Sequence, residues 1–351
     1  MFYTAGRALL QHRNPYPAFP VYGQSQFIYP PTSLLLYGVY AMFNFDFAKA
    51  LWFTTYLSAF AAAAFSCTFA IKGERKRWFG LIALLLALAS YPFHNLMFGG
   101  QSDLLVASVT VLSLVGQRLK HDYVSAFLLS IATLLKGPPI LLLIYFVLYR
   151  RDFKYLLRFL LSTAIIVGAS LVLIPTQLYW YYFVNVAPRL LIPAGQFHQS
   201  AVSYLATVNA NYLSPAVSIG GVALFAFFAF YTNSKRTDKN PLRDDAMFLM
   251  NIFIYLLLGP ETSPYSYVWV ILPLALVVSA LLADERVRFT YIALISFEAF
   301  LLSSNNYVSF QTLTTGQFPL PLNLAGGLMM TLSLVLIIVR SGSLVRKAES
   351  I

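Results

Sequence analysis

Cysteine is nearly missing from this chain. Cys67 stands alone among 351 residues, which excludes an internal disulfide and a thiolate metal cluster. Carboxylates are scarce, 13 in all, and charged residues of both signs make up only 11% of the sequence. Soluble domains carry about 25%, so a water-exposed surface of ordinary composition is excluded. Residues 1–30 hold no apolar run of the signal-peptide kind. No grouping of His, Cys, Asp and Glu has the spacing of a metal site, so neither metal nor cofactor is expected.

What fills the sequence instead is apolar: 59% hydrophobic residues, 16% aromatic, and a mean hydropathy of +0.69. A core cannot hide that much apolar surface, so the chain is expected to be an all-α polytopic integral membrane protein, because helices satisfy their own backbone in lipid. The net charge of +11 does not point to nucleic acid, which needs one contiguous basic face. All but Arg7, Arg13, Lys49, Lys136 and Arg189 of the 24 basic residues fall in six short clusters, at 72–77, 118–120, 150–158, 235–243, 286–288 and 340–347. Cytoplasmic loops collect positive charge in this way.

Placing every cluster inside fixes the crossings. Residues 31–45 are too short to span and read as an interfacial helix, after an ordered loop over 1–30. Crossings follow at 47–71, 78–93, 104–116, 123–135, 139–149 and 159–174. After an outer loop at 175–204, further crossings are expected at 213–231, 246–258, 267–283, 289–303 and 322–339. The sum is about eleven spans in one domain over 1–351, with 1–46 outside, a bundle over 47–339 and a cytoplasmic tail over 340–351. An outside start without a signal sequence implies a helix upstream of Met1. This topology leaves Asp46, Asp103, Glu261 and Glu298 as the carboxylates away from the inner clusters.

Two motifs break the apolar pattern. Met97-Phe98-Gly99-Gly100-Gln101-Ser102-Asp103 opens one segment, and Leu135-Lys136-Gly137-Pro138-Pro139 closes the next. Lys136 is either a snorkelling interfacial cation or a point charge for a lipid-linked phosphate. Ser102 or Asp103 caps a helix, or faces a polar cavity. In the 175–204 loop, Tyr179-Trp180-Tyr181-Tyr182 suits an interfacial belt, while the nearby Asn185, Arg189, Gln196, His198 and Gln199 suit a sugar. Glu261, in a loop rich in Pro and Ser, is either a general base or a hydrated loop carboxylate. Glu298 is expected to pair with a polar neighbour.

The order Tyr3-x-Ala5, Asn14-Pro15-Tyr16, Tyr29-Pro30-Pro31, Gly100-Gln101-x-Asp103, Lys136-x-Pro138-Pro139, Gln199-Ser200 and Ser263-Pro264-x-Ser266 resembles glycosyltransferase family 87. These are polyprenyl-phosphate-mannose-dependent mannosyltransferases of the GT-C fold, and the likeness runs from residue 3 to about 275. It implies a GT-C helical bundle in the plasma membrane. The implied reaction is inverting transfer of a hexose from a polyprenyl-phosphate donor to a lipid or glycan acceptor on the extracytoplasmic face. It places Lys136 and Arg189 on the donor phosphate and Tyr29, Gln101, His198 and Gln199 around the cavity. Asp103 and Glu261 are the candidate catalytic carboxylates.

The chain departs from the family in two places. The family's catalytic Asp lies just upstream of the position of Tyr3, where this sequence starts. Where the family has Asn and, later, Trp-x-His, this chain has Asp103 and Tyr267-Val268-Trp269. A transporter or lipid flippase, and an inactive relative kept for assembly, are the alternatives these departures leave open.

Overall fold

A computed structural model describes residues 1–16, 27–191, 200–207, 210–234, 240–259, 262–283, 289–303 and 322–349. Among these residues the regular structure is helical throughout, without strands. In chain order the α-helices are α1 (Phe2–Leu10), α2 (Ser33–Ala41), α3 (Phe45–Ala70), α4 (Arg75–Ala89), α5 (Tyr91–Gly99), α6 (Asp103–Arg118), α7 (Asp122–Leu135) and α8 (Phe153–Ser170). They continue as α9 (Thr176–Tyr181), α10 (Ala201–Thr207), α11 (Ser214–Ser234), α12 (Pro241–Leu258), α13 (Ile271–Leu282), α14 (Phe289–Ser303) and α15 (Leu322–Glu349). Tighter 3-10 turns at Pro138–Leu142 and Pro264–Val270 and a π-helical turn at Ile144–Tyr149 interrupt the regular pattern.

By length and apolarity, four helices among the described residues suffice to cross a membrane: Phe45–Ala70, Phe153–Ser170, Ser214–Asn233 and Tyr265–Leu282. The pair Arg75–Ala89 and Tyr91–Met97, bent by 66°, makes a fifth if it counts as one broken span. Apolar helices at Asp122–Leu135, Pro138–Tyr149, Ala293–Leu302 and Leu324–Val339 are shorter than the roughly 20 residues of a full crossing. They coincide with segments the sequence places in the membrane.

The chain divides into two compact units. The first comprises Met1–Ala63, Gly100–Ile140 and Lys154–Ile192. Its frame is the antiparallel hairpin of α6 and α7, turned over Lys120 in the left-handed region (φ 64). Small residues bring the two helices close: a Cβ on Gly116 would lie 3.3 Å from the Ser125 nitrogen. Ser125 Oγ donates to the Ser113 carbonyl at 2.6 Å, and Ser130 Oγ reaches the Phe159 carbonyl of α8 at 3.1 Å. With no hydrophobic force between helices in lipid, such close packing and interhelical hydrogen bonds hold them together. At the turn end, Arg158 meets Asp122 at 3.2 Å.

The expected loop over 1–30 is corrected in part by α1. Phe2, Ala5, Gly6 and Leu9 recur at helical spacing and turn one face toward α2, which a search for spanning runs overlooks. Helix α1 ends in a Schellman turn: His12 has φ 54 and the Arg13 N–H reaches the Ala8 carbonyl at 2.8 Å. The expected outer loop is also corrected, since 176–191 is a continuous series of helical turns. There Leu178, Tyr182 and Val186 join Ala5, Tyr16, Phe27, Tyr29, Leu34 and Tyr37 in an aromatic core. Tyr182 belongs to that core rather than to a belt, and burial pushes its hydroxyl up to about 12, so it stays neutral. Trp180 is 74% exposed and stays outside that core.

The second unit comprises Ala64–Gly99, Leu141–Phe153 and Pro193–Ile351. Helices α12 and α13 are buried along nearly their whole length, with α4, α11 and α15 packed around them. The break after Pro138-Pro139 leaves backbone groups open, and Asn251 of α12 closes two of them. Its Oδ1 accepts from the Tyr145 N–H at 3.1 Å and its Nδ2 donates to the Leu141 carbonyl at 3.2 Å. Arg75 pairs with Asp245, and Arg150 pairs with Asp244 at 2.7 Å. The basic segments around Arg75 and Arg150 therefore meet near the start of α12. Glu298 has the polar partner expected of it, accepting from Ser333 Oγ at 2.7 Å.

Gly6 tests the α1–α2 contact. A Cβ there would fall 2.3 Å from the Tyr37 carbonyl oxygen, whereas one on Gly38 finds only the end of Leu9, at 3.5 Å. Gly6→Ala should cost about 1–3 kcal/mol and lower the melting temperature in detergent, while Gly38→Ala leaves it unchanged. Equal melting of the two variants would show that the helices do not pack this closely.

Candidate active site

The parts of the two polar motifs from Gly100 to Asp103 and from Leu135 to Pro139 lie in the first unit, and the α6–α7 hairpin joins them. Gly100 adopts φ +64, a left-handed conformation that glycine takes without penalty. The Trp52 indole N–H holds its carbonyl at 2.8 Å. Three residues later Asp103 opens α6, with Ser102 at the N-cap but making no side-chain cap bond. On the other strand of the hairpin, Lys136 caps α7 in an extended conformation (φ −157, ψ 84), and Gly137-Pro138-Pro139 prevents the helix from continuing.

The two ends meet in an ion pair. Lys136 Nζ lies 2.7 Å from both Asp103 oxygens, with the carboxylate fully buried and the lysine side chain 16% exposed. A carboxylate taken out of water needs such a partner, and the positive end of α6 adds to its stabilisation. The same ammonium sits 5.8 Å from the centre of the Tyr29 ring. The Tyr29 hydroxyl donates to Gln101 Oε1 at 3.3 Å, and the Tyr16 hydroxyl holds the Tyr29 carbonyl at 2.9 Å. Thr32 Oγ1 bonds the Leu134 carbonyl at 2.8 Å, tying the Tyr29-Pro30-Pro31 segment to the end of α7.

Two further polar groups border this cluster. Tyr37 Oη and Ser102 Oγ are both buried, and the two hydroxyls face each other. Burial, then the neighbouring Tyr29, pushes the Tyr37 hydroxyl well above its ordinary value, so it remains a neutral donor. An aromatic ring, an amide, a hydroxyl and a cation together form a set suited to a sugar phosphate.

Four of the residues expected from the sequence, Tyr29, Gln101, Asp103 and Lys136, are thus brought together. Arg189 is exposed on the 3-10 turn Ala187–Leu191. Glu261, His198 and Gln199 lie outside the described residues. Of the two readings for Ser102 and Asp103, a side-chain cap or a polar site, Ser102 stands at the N-cap without a side-chain cap bond and Asp103 turns both oxygens to Lys136. Sequence reasoning missed Trp52 and Tyr37. Their signal was positional, an indole and a phenol at interfacial depth next to the motif segments. Among the described residues no three His, Cys, Asp or Glu side chains gather as a metal site.

The position of the pair along the hairpin carries further information. Helix α6 has 16 residues and is therefore about 24 Å long. The Asp103–Lys136 pair lies at one end of that length and the Arg158–Asp122 pair, beside the basic 118–120 turn, at the other. This separation approaches the thickness of the hydrocarbon layer, about 30 Å.

A search among curated proteins finds no match. The family model of glycosyltransferase family 87, in contrast, matches residues 27–304, a range that takes in Tyr29, Gln101, Asp103 and Lys136. Spanning most of a helical chain with membrane-length apolar helices, that match identifies the protein as a membrane glycosyltransferase: the chain belongs to glycosyltransferase family 87.

Proposed function

We propose that this membrane glycosyltransferase transfers a hexose, with mannose the first candidate, from a polyprenyl-phosphate donor to a hydroxyl of a lipid or glycan acceptor. The reaction is placed on the extracytoplasmic face of the plasma membrane. The observation that supports this reading best is the buried Asp103–Lys136 pair at the end of the α6–α7 hairpin remote from its basic turn. A cation held in place at that depth suits the phosphate of a lipid-borne donor, and the basic turn opposite suits the cytoplasm.

In the proposed step the acceptor hydroxyl gives its proton to a carboxylate while its oxygen attacks the anomeric carbon. The bond from that carbon to the phosphate oxygen breaks, its electron pair stays on the phosphate, and the configuration inverts. Lys136 stabilises the departing phosphate, whose negative charge grows as the bond breaks. Asp103 has both oxygens on the ammonium, so we assign it as the positioning residue for Lys136 and propose Glu261 as the base. Tyr29 and Gln101 orient the sugar, with His198 and Gln199 as further lining residues and Arg189 as a second cation for phosphate.

Membranes containing the protein and radiolabelled polyprenyl-phosphate mannose test the reaction directly. Label recovered in a lipid or glycan is the expected outcome, and donor that crosses the membrane intact would make the protein a flippase instead.

The role of Lys136 can be separated from its contribution to folding. Asp103→Asn leaves a buried ammonium without its counter-ion and should lower stability by about 3–5 kcal/mol. The double variant Asp103→Asn/Lys136→Gln removes both charges, so it should recover the melting temperature while transfer stays about 100-fold or more below wild type. A double variant that folds and still transfers at the wild-type rate would remove Lys136 from the mechanism.

Glu261→Gln should lower kcat by about 100-fold or more, as loss of a general base does, with the KM for the donor little changed. A raised KM at unchanged kcat would make Glu261 a binding residue rather than the base.

A further inference from the structure

A pocket in the first unit lies on the face of α2 away from the Asp103–Lys136 pair. Tyr37 turns toward the Asp103–Lys136 pair, whereas Leu35, Gly38, Val39 and Met42, at helical spacing, line a groove of about 640 Å³. Its other walls are the end of α1 with the turn after it, and the segment from Leu173 to Tyr181. The volume falls within the range of small-ligand sites, about 300–1,000 Å³.

The lining is divided by chemistry. At one end stand His12, Arg13, Asn14 and Gln177, and no lining residue is a carboxylate. Asn14 Oδ1 is already taken by the Tyr16 N–H at 3.0 Å, which leaves its amide protons to donate. Arg13 is one of the few basic residues outside the cytoplasmic-type clusters, and among the described residues no ion pair involves it. The Schellman turn fixes the backbone that carries it. The rest of the groove is apolar, and Val39, Met42 and Leu173 are 53%, 69% and 70% exposed.

Location decides the occupant. Leu173 and Pro175 directly follow α8, a helix long and apolar enough to span and only 17% buried, so the groove opens where a membrane span ends. Headgroups of the bilayer occupy that level. A free phosphate has no use for the apolar wall, and a hydrocarbon has none for Arg13. We propose that this groove binds an anionic membrane phospholipid, its phosphodiester on Arg13 and Asn14 and the start of its acyl chains along Val39, Met42 and Leu173.

The full chain in detergent, titrated with phosphatidylglycerol or with phosphatidylcholine of the same acyl chains and read by native mass spectrometry, tests the proposal. Wild type should retain phosphatidylglycerol about tenfold more tightly than phosphatidylcholine, and Arg13→Gln should remove that preference, because the bidentate Arg–phosphate contact is lost. Arg7→Gln, exposed on α1 outside the groove, should keep the preference. Val39→Asn should weaken both lipids.

Equal retention of the two lipids by wild type, or a preference that survives in Arg13→Gln, would overturn the assignment. Displacement of phosphatidylglycerol by glycerol phosphate at equal concentration would overturn it too, since the site would then recognise a soluble phosphate. The readout is lipid binding, so it does not depend on the transfer reaction.

Discussion

A carboxylate removed from water must be given a partner, and Asp103 imposes that condition on the first unit. Stripping an ion of solvent costs several kcal/mol even after relaxation, so Lys136 has to arrive beside Asp103, and α7 has to end where it does. The Gly137-Pro138-Pro139 sequence produces that ending by withdrawing a donor and blocking the helical path. The Thr32 bond to the Leu134 carbonyl then anchors the Tyr29 segment to the same spot, and the Tyr29 ring closes over the ammonium. The site's shape follows from the need to satisfy one buried charge.

The same economy governs the remaining polar groups of a chain that has few of them. Ser113, Ser125 and Ser130 link α6, α7 and α8. Asn251 closes the backbone opened by two prolines, and Arg75 and Arg150 meet the adjacent pair Asp245 and Asp244. In lipid an unpaired polar group has no water to fall back on. Polar side chains in such a chain therefore join segments distant in sequence, and a residue left unsatisfied stands out. Tyr37 and Ser102 obey the same rule, since their buried hydroxyls face each other beside the Asp103–Lys136 pair.

Much of this was legible in the sequence because charge is rare in it. Lys136 and Asp103 could be singled out as costly to bury, and the basic clusters gave the turns of the hairpin. What periodicity could not supply was that the two would bond each other across 33 positions. That pairing depends on α6 and α7 having nearly equal lengths, which only the helix ends reveal. Helix α1 was missed because a hydropathy search responds to spanning runs, and Phe2, Ala5, Gly6 and Leu9 form a short interfacial stripe. Residues 176–191 were missed because Pro, Gln and Tyr read as loop, although the segment coils to bury Leu178 and Tyr182. Length likewise limited the count of crossings, since α7 and the Pro138–Tyr149 stretch are apolar but short.

A lysine whose charge is already balanced looks like a poor anchor for phosphate, yet for the proposed reaction the pairing is an advantage. A free ammonium would attract the donor's phosphodiester and the phosphate monoester released after transfer, and the more highly charged product would bind more tightly. Asp103 weakens both attractions in the resting site and fixes the ammonium where the charge will develop. Rigid positioning means that little reorganisation is needed as the glycosidic bond breaks, so more of the interaction falls in the transition state than in the ground state. Tyr29 acts in the same direction, since its ring shields one side of the ammonium from water and strengthens the field on the other. On this reading the carboxylate at position 103 trades affinity for donor and product against a better-oriented cation.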